Sequence, residues 1–523
     1  MARQYMGGLI QQFLRSELTD FTCKPQLKTQ FKLQFQQRLF RLAIALGMGS
    51  LSPLMLWSTP ALATTDQYCR LDSTSSAKKD QLREKAIVQK DSAATQEYNA
   101  LLKTQADELS RCRQKNWPRQ QAIWLRVYPC DTRTGVIEKV LDDIVNKGYN
   151  QLYLEVFYDS QALLPKNQNN TAWRSVLQGK DVENRDLMAE IIAKGRARGM
   201  KVYAWMFSLN FGYVYANRSD RSNVMARNGF GQTSLDFVND GAQAFADPYN
   251  RTAQQDYYNL VKEILKRKPD GVLFDYIRYP RGSGAQSVVS SVNDLWIYSP
   301  ASAQALYSRA QNQQGLALIE TYLRNRKITV SDVANVLAKY PEEGLPRWQG
   351  RTVRADEASL SVTALHARLQ DDLWYLTVGH AAQGVVDFVK LISLPVEREG
   401  IPAGAVFFPG GNQVVGQRGF DSRLQPWDQF PASLQWHAMS YSVCGSPKCV
   451  VDEIARVVRF AAPQTKIVPA IAGNWDSAIG NRPSLKDQMA AIKATFPQID
   501  SVSHFAYSWQ EPASDNNRKF CRV

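Results

Sequence analysis

Eleven residues, Asp270-Gly-Val-Leu-Phe-Asp275-Tyr-Ile-Arg-Tyr-Pro280, place an acid where a buried strand runs out into a loop. Val272, Leu273 and Phe274 suit a strand covered on both faces, while Tyr276, Arg278, Tyr279 and Pro280 mark its exit. A carboxyl group there can serve as acid, base or nucleophile. The plain alternative is an aspartate that pairs with Arg278 and orders a loop. A second acid follows from the pleat of Gln151-Leu-Tyr-Leu-Glu-Val-Phe157. If Leu152, Leu154 and Val156 point outward, the period of two aims Tyr153, Glu155 and Phe157 inward, and an inward glutamate is costly unless it is paired or used. Further strand-end acids are Asp159, Asp476 in Gly473-Asn-Trp-Asp and Glu511 in Ser508-Trp-Gln-Glu-Pro.

Two carboxyl groups across one cleft are what glycosidic bond cleavage requires, about 5 to 5.5 Å apart for retention and about 6.5 to 9.5 Å for inversion. Arg278 would keep Asp275 ionised, as a nucleophile or base needs, and aromatic neighbours would raise Glu155 toward an acid's role. Asp476 and Glu511 compete with Glu155 to be the partner. Rings at strand ends, Trp205, Tyr276, Tyr441, Trp475, Tyr507 and Trp509, could stack on sugar faces, although barrel interiors also use such rings. Arg278, Asn474, His437 and His504 could bond sugar hydroxyls, while structural histidines remain the alternative for the last two. No GxSxG, phosphate-binding loop, GxGxxG after a strand, or HExxH is present, and no metal-binding trio is evident, so neither cofactor nor metal is expected.

The elements that must position these groups alternate. Strand-like segments fall at 122–128, 151–157, 201–207, 270–275, 403–408, 434–441, 466–471 and 501–507. Helical patterns fall between them at 134–146, 186–198, 251–268, 360–394, 451–460 and 484–494. Eight such units predict a (β/α)8 TIM barrel, whose active site lies at the carboxyl ends of its strands. Residues 64–117 read as a helical extension, 118–280 as the first half of the barrel, 281–359 as an inserted subdomain and 360–523 as the second half. The connections 208–247 and 281–359 far exceed the usual two to six residues or so, and both leave from the active-site face.

Residues 1–63 read as a secretory signal: Arg38 and Arg41 precede an apolar run from Leu42 to Trp57, and Pro60-Ala-Leu-Ala63 supplies a cleavage site. The run is short and interrupted for a membrane anchor, which needs about 20 apolar residues, so no stable membrane insertion is expected after cleavage. Export to the periplasm or cell exterior suits the six cysteines beyond Ala63. Cys444 and Cys449 bracket a short loop; Cys69 with Cys112 and Cys130 with Cys521 is the expected pairing of the rest, out of three possible. The formal charge is +14, or +9 without the seven Lys/Arg and two Asp/Glu of residues 1–63. Outside the cytoplasm that balance suggests anionic wall polymers or membrane surfaces before nucleic acid, with a solvated surface that has no partner as the plain alternative; polysaccharide or peptidoglycan glycan strands are the expected partners, and nucleic acid is not one.

The order of these pieces resembles the bacterial glycosyl-hydrolase-like family 10, from about Ala122 to Pro512. The likeness rests on Ile123-Trp-Leu, Ala162-Leu-Leu-Pro165 with Trp173, Gly199-Met-Lys-Val-Tyr-Ala-Trp205, Ala246-Asp-Pro-Tyr249, Asp270 to Pro280, Trp436-His-Ala-Met-Ser-Tyr441 and Phe505-Ala-Tyr-Ser-Trp509. The resemblance implies a secreted barrel that hydrolyses cell-wall or extracellular glycans, with Asp275 matching the acid at the end of strand four. It implies Gln-Val-Arg-like residues where this chain has Glu155-Val-Phe157, so Glu155 rests on the pleat alone. A non-catalytic glycan-binding or wall-scaffold protein on the same barrel is the alternative.

Overall fold

Eight strands run parallel around a ring in the computed structural model, which describes residues 66–238 and 240–521. They are β1 Gln120–Leu125, β2 Gln151–Tyr158, β3 Lys201–Phe207, β4 Gly271–Asp275, β5 Ala403–Phe407, β6 Gln435–Ala438, β7 Ala470–Ala472 and β8 Ser501–Phe505. Each pairs with its sequence neighbour and β1 pairs with β8. Parallel bridges Trp436 to Ile467 and Met439 to Ala470 close the ring between β6 and β7. The fold is the (β/α)8 barrel that the alternation predicts. The expected signal, 1–63, lies outside the described residues.

The helices form where one apolar face can bury itself. In α3, Val136–Asn146, the residues Ile137, Val140, Leu141, Ile144 and Val145 recur at helical spacing and are buried. Gly148 ends that segment at φ +83°, and a Cβ there would lie 2.5 Å from the Tyr68 carbonyl oxygen, so only glycine fits. Inside the barrel, Trp124, Tyr153, Tyr203 and His437 form a packed layer, with Tyr153 at ring distances of 4.9, 5.7 and 5.4 Å from the other three. Room for these rings comes from Gly271, where a Cβ would meet the Tyr203 ring at 2.5 Å.

The extension comprises helices α1 Ser73–Arg83 and α2 Ser92–Lys115, capped by the Asp72 and Asp91 side chains. The Cys69–Cys112 disulfide ties it, and Cys130–Cys521 and Cys444–Cys449 are the other two bridges, as expected. It docks on buried Asp142 of α3, which accepts from Arg83 at 3.1 Å, Tyr98 at 2.8 Å and Arg198 of the barrel at 2.8 Å. The insertion carries helices Pro300–Tyr307, Gln313–Asn325 and Val330–Lys339, followed by the long helix Val362–Arg398.

Three expectations need correction. The register slips between Glu155 and Phe157, so Phe157 leaves the interior and packs outward on Trp173 and Tyr257, at 4.8 and 5.9 Å. Strand seven is interrupted: Ile467 bridges Trp436, Pro469 has no N–H to give a ladder, and the regular strand is Ala470–Ala472. The connection after β5 is also long, and its strand Gly419–Asp421 pairs with Val288–Val289, so the insertion is stitched to that loop.

Candidate active site

At the carboxyl end of β4, Asp275 is 6% exposed and faces into the barrel. The Tyr276 backbone N–H donates to its Oδ1 at 2.7 Å, and Trp205 Nε1 donates to Oδ2 at 3.1 Å. Burial pushes its carboxyl up to about 6, against the pull of these two donors and Arg278. Tyr276 adopts φ +53°, a region costly for a residue with a side chain, and its ring stacks on Phe207 at 4.2 Å. Arg278 does not bond Asp275: it donates to the Tyr279 carbonyl at 2.9 Å and lies 4.6 Å over the Tyr276 ring. The ion pair expected to keep Asp275 charged is therefore weaker than its sequence neighbourhood suggests.

Glu155 faces inward, as the pleat requires, but its side chain is 0% exposed and both its oxygens are engaged by Arg126. Arg126 Nη2 lies 2.8 Å from Oε1, and Nε bonds Oε2. Burial raises the Glu155 carboxyl, Arg126 opposes that rise, and the charge of Asp275 adds to it. The two acids thus share one electrostatic environment. Arg126 itself is 40% exposed, and its guanidinium lies 4.6 Å over the Tyr158 ring. Burial therefore raises both carboxyls, but Glu155 has a bonded ion partner and Asp275 does not.

Tyr441, half-buried at the end of β6, packs 5.8 Å from Phe505, and the charge of Asp275 reaches its hydroxyl. Phe505 in turn packs edge-on against Trp205 at 6.3 Å. Trp205, Tyr276, Arg278 and Tyr441 are thereby gathered around Asp275. The remaining residues lie elsewhere. Asp476 is 67% exposed, with Arg70 of the extension at 3.7 Å. Glu511 pairs with Lys147, just beyond α3, at 2.8 Å. His504 alternates outward on β8, where its Nδ1 meets the Tyr149 hydroxyl at 2.8 Å and Trp475 lies 5.5 Å away. Trp475 is covered by Tyr68 and Arg70, and the Asn474 backbone carbonyl accepts from the Leu485 N–H at 2.8 Å. His437 is buried in the lower ring layer, and Trp509 lies 5.8 Å from the Arg482 guanidinium. Burial drives both His437 and His504 down to about 3, so neither carries a proton at neutral pH.

Arg126 and Tyr158 are the site residues that sequence reasoning missed. Their place follows from the strand pairing: β1 and β2 run with Leu125 opposite Leu154, which sets Arg126 beside Glu155 one step on, a neighbour that only the paired strands reveal. Among the described residues, no group of three or more His, Cys, Asp or Glu side chains could hold a metal ion.

The parallel eight-stranded barrel thus carries two inward acids at the carboxyl ends of its strands, the face on which such barrels hold their active sites. The family described as glycosyl hydrolase-like 10 matches residues 120–326, which span the first half of the barrel and part of the insertion. No curated protein sequence matches the chain. Similar solved structures include the glycoside hydrolase domain of PgaB (BpsB) from Bordetella bronchiseptica, at 13% identity over 77% of this chain and 99% of that one, with a TM-score of 0.46. A GH18 chitinase from Pseudoalteromonas aurantia is 8% identical over 74% and 94% of the two chains, with a TM-score of 0.34. The GH20 modules of the pneumococcal exo-beta-D-N-acetylglucosaminidase StrH are 11% identical over 79% and 86%, with a TM-score of 0.37.

Proposed function

We propose that the protein hydrolyses glycosidic bonds in a bacterial cell-wall or extracellular polysaccharide, with Asp275 as the general acid. The observation that carries this reading is the buried Asp275 carboxyl, raised to about 6 at the carboxyl end of a barrel strand and ringed by aromatics. In its protonated form it gives its proton to the leaving glycosidic oxygen. Trp205 and the Tyr276 N–H then stabilise the carboxylate that remains. Glu155 supplies the second negative charge, near the positive charge that develops on the sugar ring, and Arg126 fixes its orientation. A solvent water then forms the new bond to C1, and its proton returns to the Asp275 carboxylate. Tyr276, Tyr441 and Tyr158 offer faces for sugar stacking. The three disulfides suit an oxidising compartment, and no described helix is long and apolar enough to cross a membrane.

The test is release of reducing ends from purified wall and extracellular polysaccharides by the wild-type protein, Asp275→Asn and Glu155→Gln. The proposal requires cleavage by the wild type and its loss in Asp275→Asn. A second reading, a glycan-binding protein without catalysis, is favoured by one observation: both Glu155 oxygens are already taken by Arg126. Saturable glycan binding with no fragments released by wild-type protein would establish it.

A further inference from the structure

At the end of the barrel opposite Asp275, α2 lies across the segments that enter β1, β2 and β3 and leaves a cavity of about 240 Å³. Leu109, Arg113, Arg119, Tyr149, Asn150 and Arg198 are among its walls. At about 30 Å³ per water it has room for roughly eight waters, below the range of about 300 to 1,000 Å³ typical of drug-sized ligands. Among the described residues that line it, none is an acid. Arg198 has its counter-charge in Asp142 at 2.8 Å. Arg113 has none bonded to it, although it is only 5% exposed. Its guanidinium donates to the Pro118 carbonyl at 3.0 Å, to Gln121 Oε1 at 3.2 Å and to the Gly148 carbonyl, and its Nε has no partner. Asp66, the acid whose charge reaches it, is bonded to Arg70. Burial draws Arg113 down to about 10, the direction expected of a cation short of a counter-ion. Arg119, exposed, gives one N–H to the Gln114 carbonyl at 2.5 Å.

A buried cation with neutral partners and a second cation on the walls of one cavity favour an anion. Guanidinium forks suit the paired oxygens of phosphate, sulfate and carboxylate. We propose that this cavity is a second binding site that takes an oxyanion, free or carried on a single sugar, with Arg113 in the wall and Arg119 at the rim. The site is separate from the Asp275 cleft, so binding here is read independently of glycan cleavage.

The protein is titrated with inorganic phosphate, sulfate and glucuronate at constant ionic strength, with sodium chloride and glucose as controls, and melting temperature and binding heat are recorded. At least one oxyanion gives a saturable rise in Tm that chloride and glucose do not, and the one that binds most tightly identifies the ligand chemistry. Arg119→Ser, an exposed change, weakens that binding at least about tenfold. Ser110→Trp, which adds bulk from the exposed face of α2, does the same without altering charge. No saturable rise with any of the three anions overturns the proposal, as does unchanged affinity in either variant.

Discussion

Asp275 and Glu155 answer differently to losing their charge, because one carboxylate is buried without an ion partner and the other is held by a guanidinium. The Asp275 carboxyl is raised from 3.8 to about 6, so between those values the folded state binds more protons than the unfolded chain. The contribution of this group to stability is therefore full below about pH 3.8, is lost as pH rises toward 6 and is absent above it. A shift of about two units is worth on the order of 3 kcal/mol. Asp275→Asn removes that cost, less about 1 kcal/mol for a weakened hydrogen bond, and should raise Tm at pH 8 while leaving it unchanged or lower at pH 4. Glu155→Gln should do the opposite, lowering stability by about 1 to 3 kcal/mol because Arg126 keeps its charge and loses its partner, with solvent at the guanidinium limiting the loss. Paired thermal melts at the two pH values check both signs. The same titration sets the pH profile: an acid with a carboxyl near 6 must be protonated, so kcat/KM should fall about tenfold per pH unit well above 6. Asp275 was legible in the sequence because its strand is short, apolar and ends abruptly. Arg126 was not, because its purpose appears only when β1 and β2 are paired and Glu155 stands beside it.

At the level of elements, the extension is closed on itself by the Cys69–Cys112 disulfide and docks on the barrel at the buried acid Asp142. Asp142→Asn keeps the volume but strips the charge that answers Arg83 and Arg198, which should cost about 3 to 5 kcal/mol and free α1 and α2 to exchange their amide hydrogens. Hydrogen exchange followed by mass spectrometry would locate the loss in residues 73–115 if docking depends on Asp142, whereas uniform protection there would deny it that role. Alternating apolar patterns revealed all eight strands and the helices between them, since each element buries one face or both. The bulge after Glu155 was hidden, because Phe157 is as apolar outside the barrel as inside it. Also hidden was the pairing of 419–421 with 288–289, as strands of two or three residues leave no period to read.

For the whole molecule, the ring of parallel strands separates two ends with different chemistry. One gathers Asp275, Trp205, Tyr276 and Tyr441; the other holds the arginine-lined cavity under α2. The proposed glycan cleavage belongs to the first alone, with Asp275 as its acid. The most direct test compares the rate of reducing-end release from a cleaved polysaccharide by wild-type protein and Asp275→Asn, with glycan affinity measured on the same samples. At least about a hundredfold loss, or roughly 2.7 kcal/mol in the barrier, with affinity retained, is the predicted result. Cleavage by Asp275→Asn at the wild-type rate would contradict it and leave the strand-four carboxylate a structural group.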